Sequence, residues 1–271
     1  MTHVEQSRVR VPGPAVKAAL ISMESRCGQA EENLRRICAY IARAGSEGAR
    51  LAVFPELALT GYCLRHADTT ALPLSHPFVA VLSRAAQENG VTALVGMAER
   101  TGETLWASQL VCGLDGTVEV YRKTHLGIRE QPVFTPGDCL PVFDGTPPFG
   151  ILLCYDMHFP EAAAALRTRG AELIAVPHAV PVMAGERAAV WARYMPARAY
   201  DNRMYVLCCN TCGENGCGTA FSGGVAVYDP DGHIAATDFS GRETLLIVEL
   251  KPMRFDGAKD FPSHRRSELY I

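Results

Sequence analysis

Phe149-Gly150-Ile151-Leu152-Leu153-Cys154-Tyr155-Asp156-Met157-His158-Phe159-Pro160-Glu161 decides how the rest of the chain is read. An apolar run stops at a cysteine, and a polar turn leads through Pro160 into the alanine-rich stretch that follows. Proline suits the first turn of a helix, so the pattern predicts strand, turn, then helix over Pro160 to Arg169. A strand end exposes one side chain, while the first turn of a new helix offers unpaired backbone N–H groups. A thiol there can act as a nucleophile, since its thiolate is both stabilised and reachable. A free cysteine that merely ends a buried strand fits the same pattern. The choice rests on partners elsewhere, because a thiol needs a base and an oxyanion stabiliser before it does acyl chemistry.

Outward from this stretch the pattern keeps alternating. Upstream, strands are expected at Val16 to Met23, Arg50 to Phe54, Val91 to Glu99, Thr104 to Gly113 and Thr117 to Tyr121. Helices are expected at Gln29 to Ala44 and at Pro77 to Asn89, the second closed by Gly90. Downstream, strands are expected at Glu172 to Pro177, Met204 to Cys209, Gly223 to Tyr228, Ile234 to Asp238 and Thr244 to Leu250. The helical stretch Glu186 to Arg203 should kink or split at Pro196. Residues Lys123 to Pro148 read as irregular. Strand–helix alternation argues for helix-covered sheets, and the hairpins argue that the sheets are mixed.

Composition narrows the function. A net charge of −3 over 271 residues gives no basic face for nucleic acid. No apolar stretch has the length of a membrane span. Residues 1–15 read as a polar tail without a secretory core, 16–250 as one α/β domain, and 251–271 as a C-terminal arm. Ten cysteines in a chain of this length do not make a disulfide framework, so free thiols in a reducing cytoplasm are expected.

Two further residues stand at predicted strand ends. Glu56 follows the apolar Leu51-Ala52-Val53-Phe54-Pro55, where desolvation would raise its pKa toward a useful range for proton transfer. Lys123 follows Thr117 to Tyr121. Side chains at the ends of neighbouring strands converge on one edge of a sheet. Thiol, carboxylate and ammonium together make a complete set for acyl transfer.

Three motifs then carry a resemblance. Phe54-Pro55-Glu56-Leu57-Ala58-Leu59-Thr60-Gly61-Tyr62, Tyr121-Arg122-Lys123-Thr124-His125-Leu126 and Cys154-Tyr155-Asp156-Met157-His158-Phe159-Pro160-Glu161 resemble, in order, the glutamate, lysine and cysteine motifs of the nitrilase superfamily of carbon–nitrogen hydrolases. The likeness covers about Val16 to Leu250. It implies a four-layer α-β-β-α sandwich of two mixed sheets flanked by helices, and a homodimer or larger assembly. It implies a cofactor-independent hydrolase of small amides or N-carbamoyl compounds, with Cys154 as nucleophile, Glu56 as general base and acid, and Lys123 holding the oxyanion. Glu130, a few residues before Pro136-Gly137-Asp138, matches the family's second glutamate. Tyr62, Tyr155 (through its backbone N–H) and His178 are expected at the substrate.

The Cys154-Tyr155-Asp156 form is more similar to amidase branches than to true nitrilases, and nitrile hydrolysis is the alternative reaction. Pro177-His178-Ala179-Val180 and Phe221-Ser222-Gly223-Gly224-Val225 depart from the ω-amide hydrolase pattern, so the substrate stays open. Two readings from other classes compete. One is a catalytically silent protein on the same fold. The other is a zinc or redox module built on Cys209, Cys212 and Cys217, which lacks a second ligand pair.

Overall fold

Along β1 (Val16–Ser22), Ala19 and Ile21 join one buried cluster while Ala18 and Leu20 join another. A strand buried on both faces must lie between two layers, and that sets the architecture. The computed structural model describes residues 14–181, 184–253 and 255–269. After β1 come α1 (Ala30–Ser46), β2 (Ala49–Val53), the short α2 (Ala67–Thr70), α3 (Pro77–Asn89), β3 (Thr92–Thr101), β4 (Thr104–Cys112) and β5 (Val118–Arg122). Next are β6 (Val142–Phe143), β7 (Phe149–Ile151), α4 (Pro160–Thr168), β8 (Leu173–His178), α5 (Ala184–Trp191) and α6 (Met195–Asn202). The chain continues through β9 (Tyr205–Asn210), β10 (Cys212–Glu214), β11 (Ala220–Ser222), β12 (Val225–Tyr228), β13 (Ile234–Asp238) and β14 (Thr244–Leu250).

One sheet has the order β14-β1-β2-β3-β4-β5 and the other β13-β12-β9-β8-β7-β6. In each, three central strands run parallel (β1, β2, β3 and β7, β8, β9) and the flanking strands are antiparallel. The facing sides of the two sheets share one apolar core, in which Leu20, Val53, Leu94 and Tyr121 meet Phe149, Ile151, Leu173, Leu207 and Val227. Helices α1 and α3 cover the outer face of the first sheet through Leu34, Ile37, Ile41, Val79 and Leu82. Helices α4 and α6, with Trp191, cover the outer face of the second. This is the expected four-layer α-β-β-α sandwich. Each fully buried Leu or Ile in these layers contributes roughly 1.5–3 kcal/mol.

Local signals explain several boundaries. Pro77 starts α3, and Gly90 ends it in the left-handed region at φ 62. The stretch expected to break at Pro196 does split: residues 192–194 separate α5 from α6, and Pro196 sits in the first turn of α6. Strand β7 is shorter than its apolar run, because Leu152 and Leu153 already belong to the descent into the cysteine turn. Short β6 falls in the segment read from sequence as irregular, and β10 and β11 fall in residues 210–222, to which no element is assigned from sequence. Nearly all of the expected N-terminal tail lies outside the described residues. No described helix is long and apolar enough to cross a membrane.

Candidate active site

Glu56 stands just beyond β2 on a loop stitched to β3 and β4. The Leu59 N–H donates to Gly96 O at 2.8 Å, the Ala98 N–H donates to Thr60 Oγ1 at 2.9 Å, and Gln109 Nε2 donates to Phe54 O at 3.1 Å. Leu57 takes a left-handed backbone at φ 53, which directs the chain back after the glutamate. The loop lies so close to β3 that a β-carbon on Gly96 would sit 2.3 Å from Leu57 N. Glycine is the residue that allows this approach.

Lys123 leaves the end of β5 and is 1 % exposed, as is Glu56. Its Nζ donates to Glu56 Oε1 at 2.7 Å and to Glu130 Oε1 at 2.8 Å. Glu130 also accepts from Tyr62 Oη at 2.9 Å, and its Oε2 accepts from the Gly127 N–H at 2.7 Å. One ammonium therefore joins two buried carboxylates. Glu56 Oε2 is buried with no hydrogen-bond partner among the described residues.

Burial pushes the Glu56 carboxyl up, Lys123 opposes the shift and Glu130 adds to it, leaving the group at about 7. Burial alone would lower the Lys123 pKa, but the charges of Glu56, Cys154 and Glu130 carry it above its ordinary value. Lys123 stays charged throughout the neutral range.

Cys154 opens a short 3-10 turn, Cys154–His158, directly after the β7 segment. Its backbone is left-handed at φ 43, an uncommon state for a residue with a β-carbon. Burial and the Glu56 charge push its thiol up to about 12, with Lys123 pulling the other way. The resting group is therefore a thiol. The N–H of Tyr155 lies in the first turn of this 3-10 segment, where backbone donors lack a helical partner by position.

Asp156 was absent from the sequence-derived set, yet it binds the two motifs together. Its Oδ2 accepts from the Leu153 N–H (2.8 Å) and Tyr121 Oη (2.7 Å), and its Oδ1 accepts from Thr124 Oγ1 (2.9 Å) and the His125 N–H (2.7 Å). His125 Nδ1 lies 3.0 Å from the same Oδ1. The fully buried carboxylate thus clamps the cysteine turn onto the segment that follows Lys123. A carboxylate two residues after a predicted strand-end nucleophile was the only signal available in the sequence.

The expected substrate residues divide. Tyr62 is built into the Glu56–Lys123–Glu130 cluster through Glu130. Tyr155 is 40 % exposed, with its ring edge-on to Phe159. His178, at the end of β8, is buried with both ring nitrogens engaged: Nδ1 donates to Val176 O at 2.8 Å and Nε2 accepts from Trp191 Nε1 at 3.2 Å. Burial and the nearby Arg187 charge hold it well below 6.5, so it is neutral and leaves no nitrogen free for a substrate.

Arg187, on α5, is a second residue the sequence did not single out. It is 4 % exposed, its guanidinium lies over the Trp191 ring at 5.8 Å, and its Nε has no hydrogen-bond partner among the described residues. No carboxylate pairs with it there. Its charge bears on Cys154, His158, His178 and Tyr194.

The zinc arrangement considered for Cys209, Cys212 and Cys217 does not assemble. Cys209 is buried between the sheets, Cys208 lies under the outer helices, and Cys212 sits on β10. Cys217 meets other thiols instead.

The sequence signature of carbon-nitrogen hydrolases matches residues 17–259. The chain belongs to the carbon–nitrogen hydrolase family. Its relatives are named as amidases and a nitrilase, and this chain is a carbon–nitrogen hydrolase acting on bonds other than peptide bonds. It is 30 % identical to a nitrilase of Pyrococcus abyssi over 268 residues, covering 94 % of this chain and 99 % of that one. It is 30 % identical to an (R)-stereoselective amidase of a Pseudomonas species, over 94 % of this chain and 93 % of the relative. The crystal structure of an amidase from a Nesterenkonia species superposes with a TM-score of 0.84 at 28 % identity, covering 97 % of each chain. A double mutant of the amidase from Nesterenkonia sp. AN1 has also been solved in complex with acrylamide. In another form it carries the acetamide moiety of fluoroacetamide on its active-site cysteine.

Proposed function

We propose that this hydrolase cleaves small carboxamides through a thioester on Cys154. The observation that carries this reading is the Lys123 ammonium held between two buried carboxylates, with Glu56 Oε2 left unpartnered beside the thiol's field. Glu56 takes the thiol proton as sulfur bonds to the carbonyl carbon. The carbonyl π-electrons move to oxygen, where Lys123 Nζ and the Tyr155 N–H hold the charge. Glu56 then gives its proton to the leaving nitrogen, the C–N bond breaks, and ammonia departs. Water deprotonated by Glu56 attacks the thioester, and the acid leaves as Cys154 regains its proton. Glu130 and Tyr62 fix the Lys123 ammonium. No metal or organic cofactor enters the scheme.

Arg187 refines the substrate class. A buried guanidinium without a counter-ion among the described residues favours an anionic group, so the preferred amide carries a carboxylate on its acyl side. Losing a charged hydrogen bond of this kind costs about 1.5–3 kcal/mol, roughly a 10- to 150-fold loss in kcat/KM.

The test is ammonia release from paired neutral and carboxylate-bearing amides, N-carbamoyl amines and nitriles, by wild-type, Cys154→Ala and Arg187→Gln proteins. Release from amides that vanishes in Cys154→Ala, with the carboxylate preference lost in Arg187→Gln, supports the reading. Turnover of nitriles alone contradicts the amidase assignment, and an unchanged preference in Arg187→Gln contradicts the role of Arg187.

A further inference from the structure

Three thiols far apart in the sequence meet behind the loop that carries Tyr62. Cys27 precedes α1, Cys63 follows the glutamate motif, and Cys217 lies between β10 and β11. Their sulfur atoms all lie within 4.8 Å of one another. Cys63 is buried while Cys27 and Cys217 are half-buried, so the group has one side open to solvent, and none of the three forms a disulfide.

The backbone holds the three segments together independently of the sulfurs. The Cys27 N–H donates to Asn215 O at 2.9 Å, and Asn215 Nδ2 donates to Tyr62 O at 2.8 Å. Asn215 Oδ1 accepts from the N–H groups of Cys217 (2.8 Å) and Thr219 (3.1 Å). At Gly61, φ 77, a β-carbon would lie 2.5 Å from Cys27 N, so glycine is what lets these loops close. The thiols are thus brought together by a framework of turns rather than by chance exposure.

We infer that Cys27, Cys63 and Cys217 form a binding site for a thiophilic metal ion of the zinc class, held by three thiolates with its fourth position open to water. Zinc–sulfur bonds of about 2.3 Å in a tetrahedron set the sulfurs about 3.8 Å apart, so no pair must close by more than about 1 Å. A disulfide requires about 2.05 Å between one pair and leaves the third sulfur without a role. Soft thiolate donors select such ions over magnesium or calcium. On binding, three S–H bonds break, three metal–sulfur bonds form, and three protons pass to solvent. The Arg65 guanidinium, which donates to Cys217 O at 2.9 Å, brings positive charge beside the resulting anionic group. The bound ion would pin the loop whose Tyr62 hydroxyl donates to Glu130, linking this site mechanically to the acid–base cluster.

The experiment titrates freshly reduced, metal-free protein with Cd²⁺, read by sulfur-to-metal charge-transfer absorbance, and with Zn²⁺, read by thermal shift. Wild-type, Cys154→Ala, Cys217→Ser and Cys63→Ser proteins are compared, with circular dichroism verifying the fold of each. One equivalent bound with the absorbance of several thiolates, and a rise in Tm, are expected in wild type and in Cys154→Ala. Both responses should disappear in Cys217→Ser and in Cys63→Ser. A response lost in Cys154→Ala but kept in Cys217→Ser would place the metal on the nucleophile and overturn the inference. So would absence of binding by the reduced wild-type protein.

Discussion

Replacing Glu130 with glutamine tests how the buried cluster sets the working pH. The two carboxylate oxygens that share Lys123 Nζ are at most about 5.5 Å apart, given contacts of 2.7 and 2.8 Å. At an effective dielectric constant near 20, one unit of negative charge at that distance is worth about 3 kcal/mol, or about two pH units on Glu56. Glu130→Gln removes this charge, so the Glu56 carboxyl should fall from about 7 toward about 5. The base must be ionised to accept the thiol proton, and kcat/KM therefore declines below its pKa. The acid limb of the kcat/KM profile, followed by ammonia release from a small amide between about pH 4 and 9, should shift downward by about two units. Glutamine also sets an amide group against the Gly127 N–H, costing about 1–3 kcal/mol of stability, which a parallel thermal melt accounts for. An acid limb that stays at its wild-type position refutes the assignment of Glu56 as the base and of Glu130 as its electrostatic neighbour.

Asp156→Asn loses charge from a carboxylate that accepts from four separate donors; stability in urea should fall by about 2–3 kcal/mol and kcat by roughly 10- to 100-fold, with KM little changed. Gly96→Ala drives a methyl group into the Leu57 backbone, so Tm should drop together with activity as the Glu56 loop is displaced. Glu56→Gln should abolish turnover without loss of stability above neutrality. The folded state holds the Glu56 proton more tightly than the ordinary value of 4.5, so wild-type stability falls as pH rises from there through about 7. The glutamine variant lacks that decline, and urea unfolding at pH 5 and pH 8 measures the difference.

Much of this was legible in the sequence because the strands are buried on both faces. Continuous apolar runs such as Ala18-Ala19-Leu20-Ile21 marked strands, and a charged or reactive residue directly after such a run marked the sheet edge. Glu56 and Cys154 stand out in that way, and Lys123 by its place at the end of the alternating strand Val118–Arg122. Their mutual geometry was not legible, since it depends on pairing between β2, β3, β4 and β5 and on the packing of one sheet against the other. Asp156 escaped because four of its five contacts come from the Tyr121–His125 segment, which meets the cysteine turn only in three dimensions. Arg187 sits in a stretch read correctly as helical, yet nothing local separates a buried arginine from an exposed one. The cysteines show the opposite failure. The Cys209–Cys212 spacing suggested a ligand pair, but β9 buries its cysteines as apolar filler on both faces, Cys209 among them. The thiols that do converge, Cys27, Cys63 and Cys217, share no spacing at all. Short β6, β10 and β11 were missed because two- and three-residue strands carry too little periodicity to register.

The most direct test of the account is intact-protein and peptide mass spectrometry on enzyme quenched in acid during turnover of a small amide. A Cys154 thioester predicts an acyl group, the substrate less ammonia, on the peptide containing Cys154, with both adduct and turnover absent in Cys154→Ala. Turnover persisting in Cys154→Ala, or an acyl group found on another residue, would contradict it.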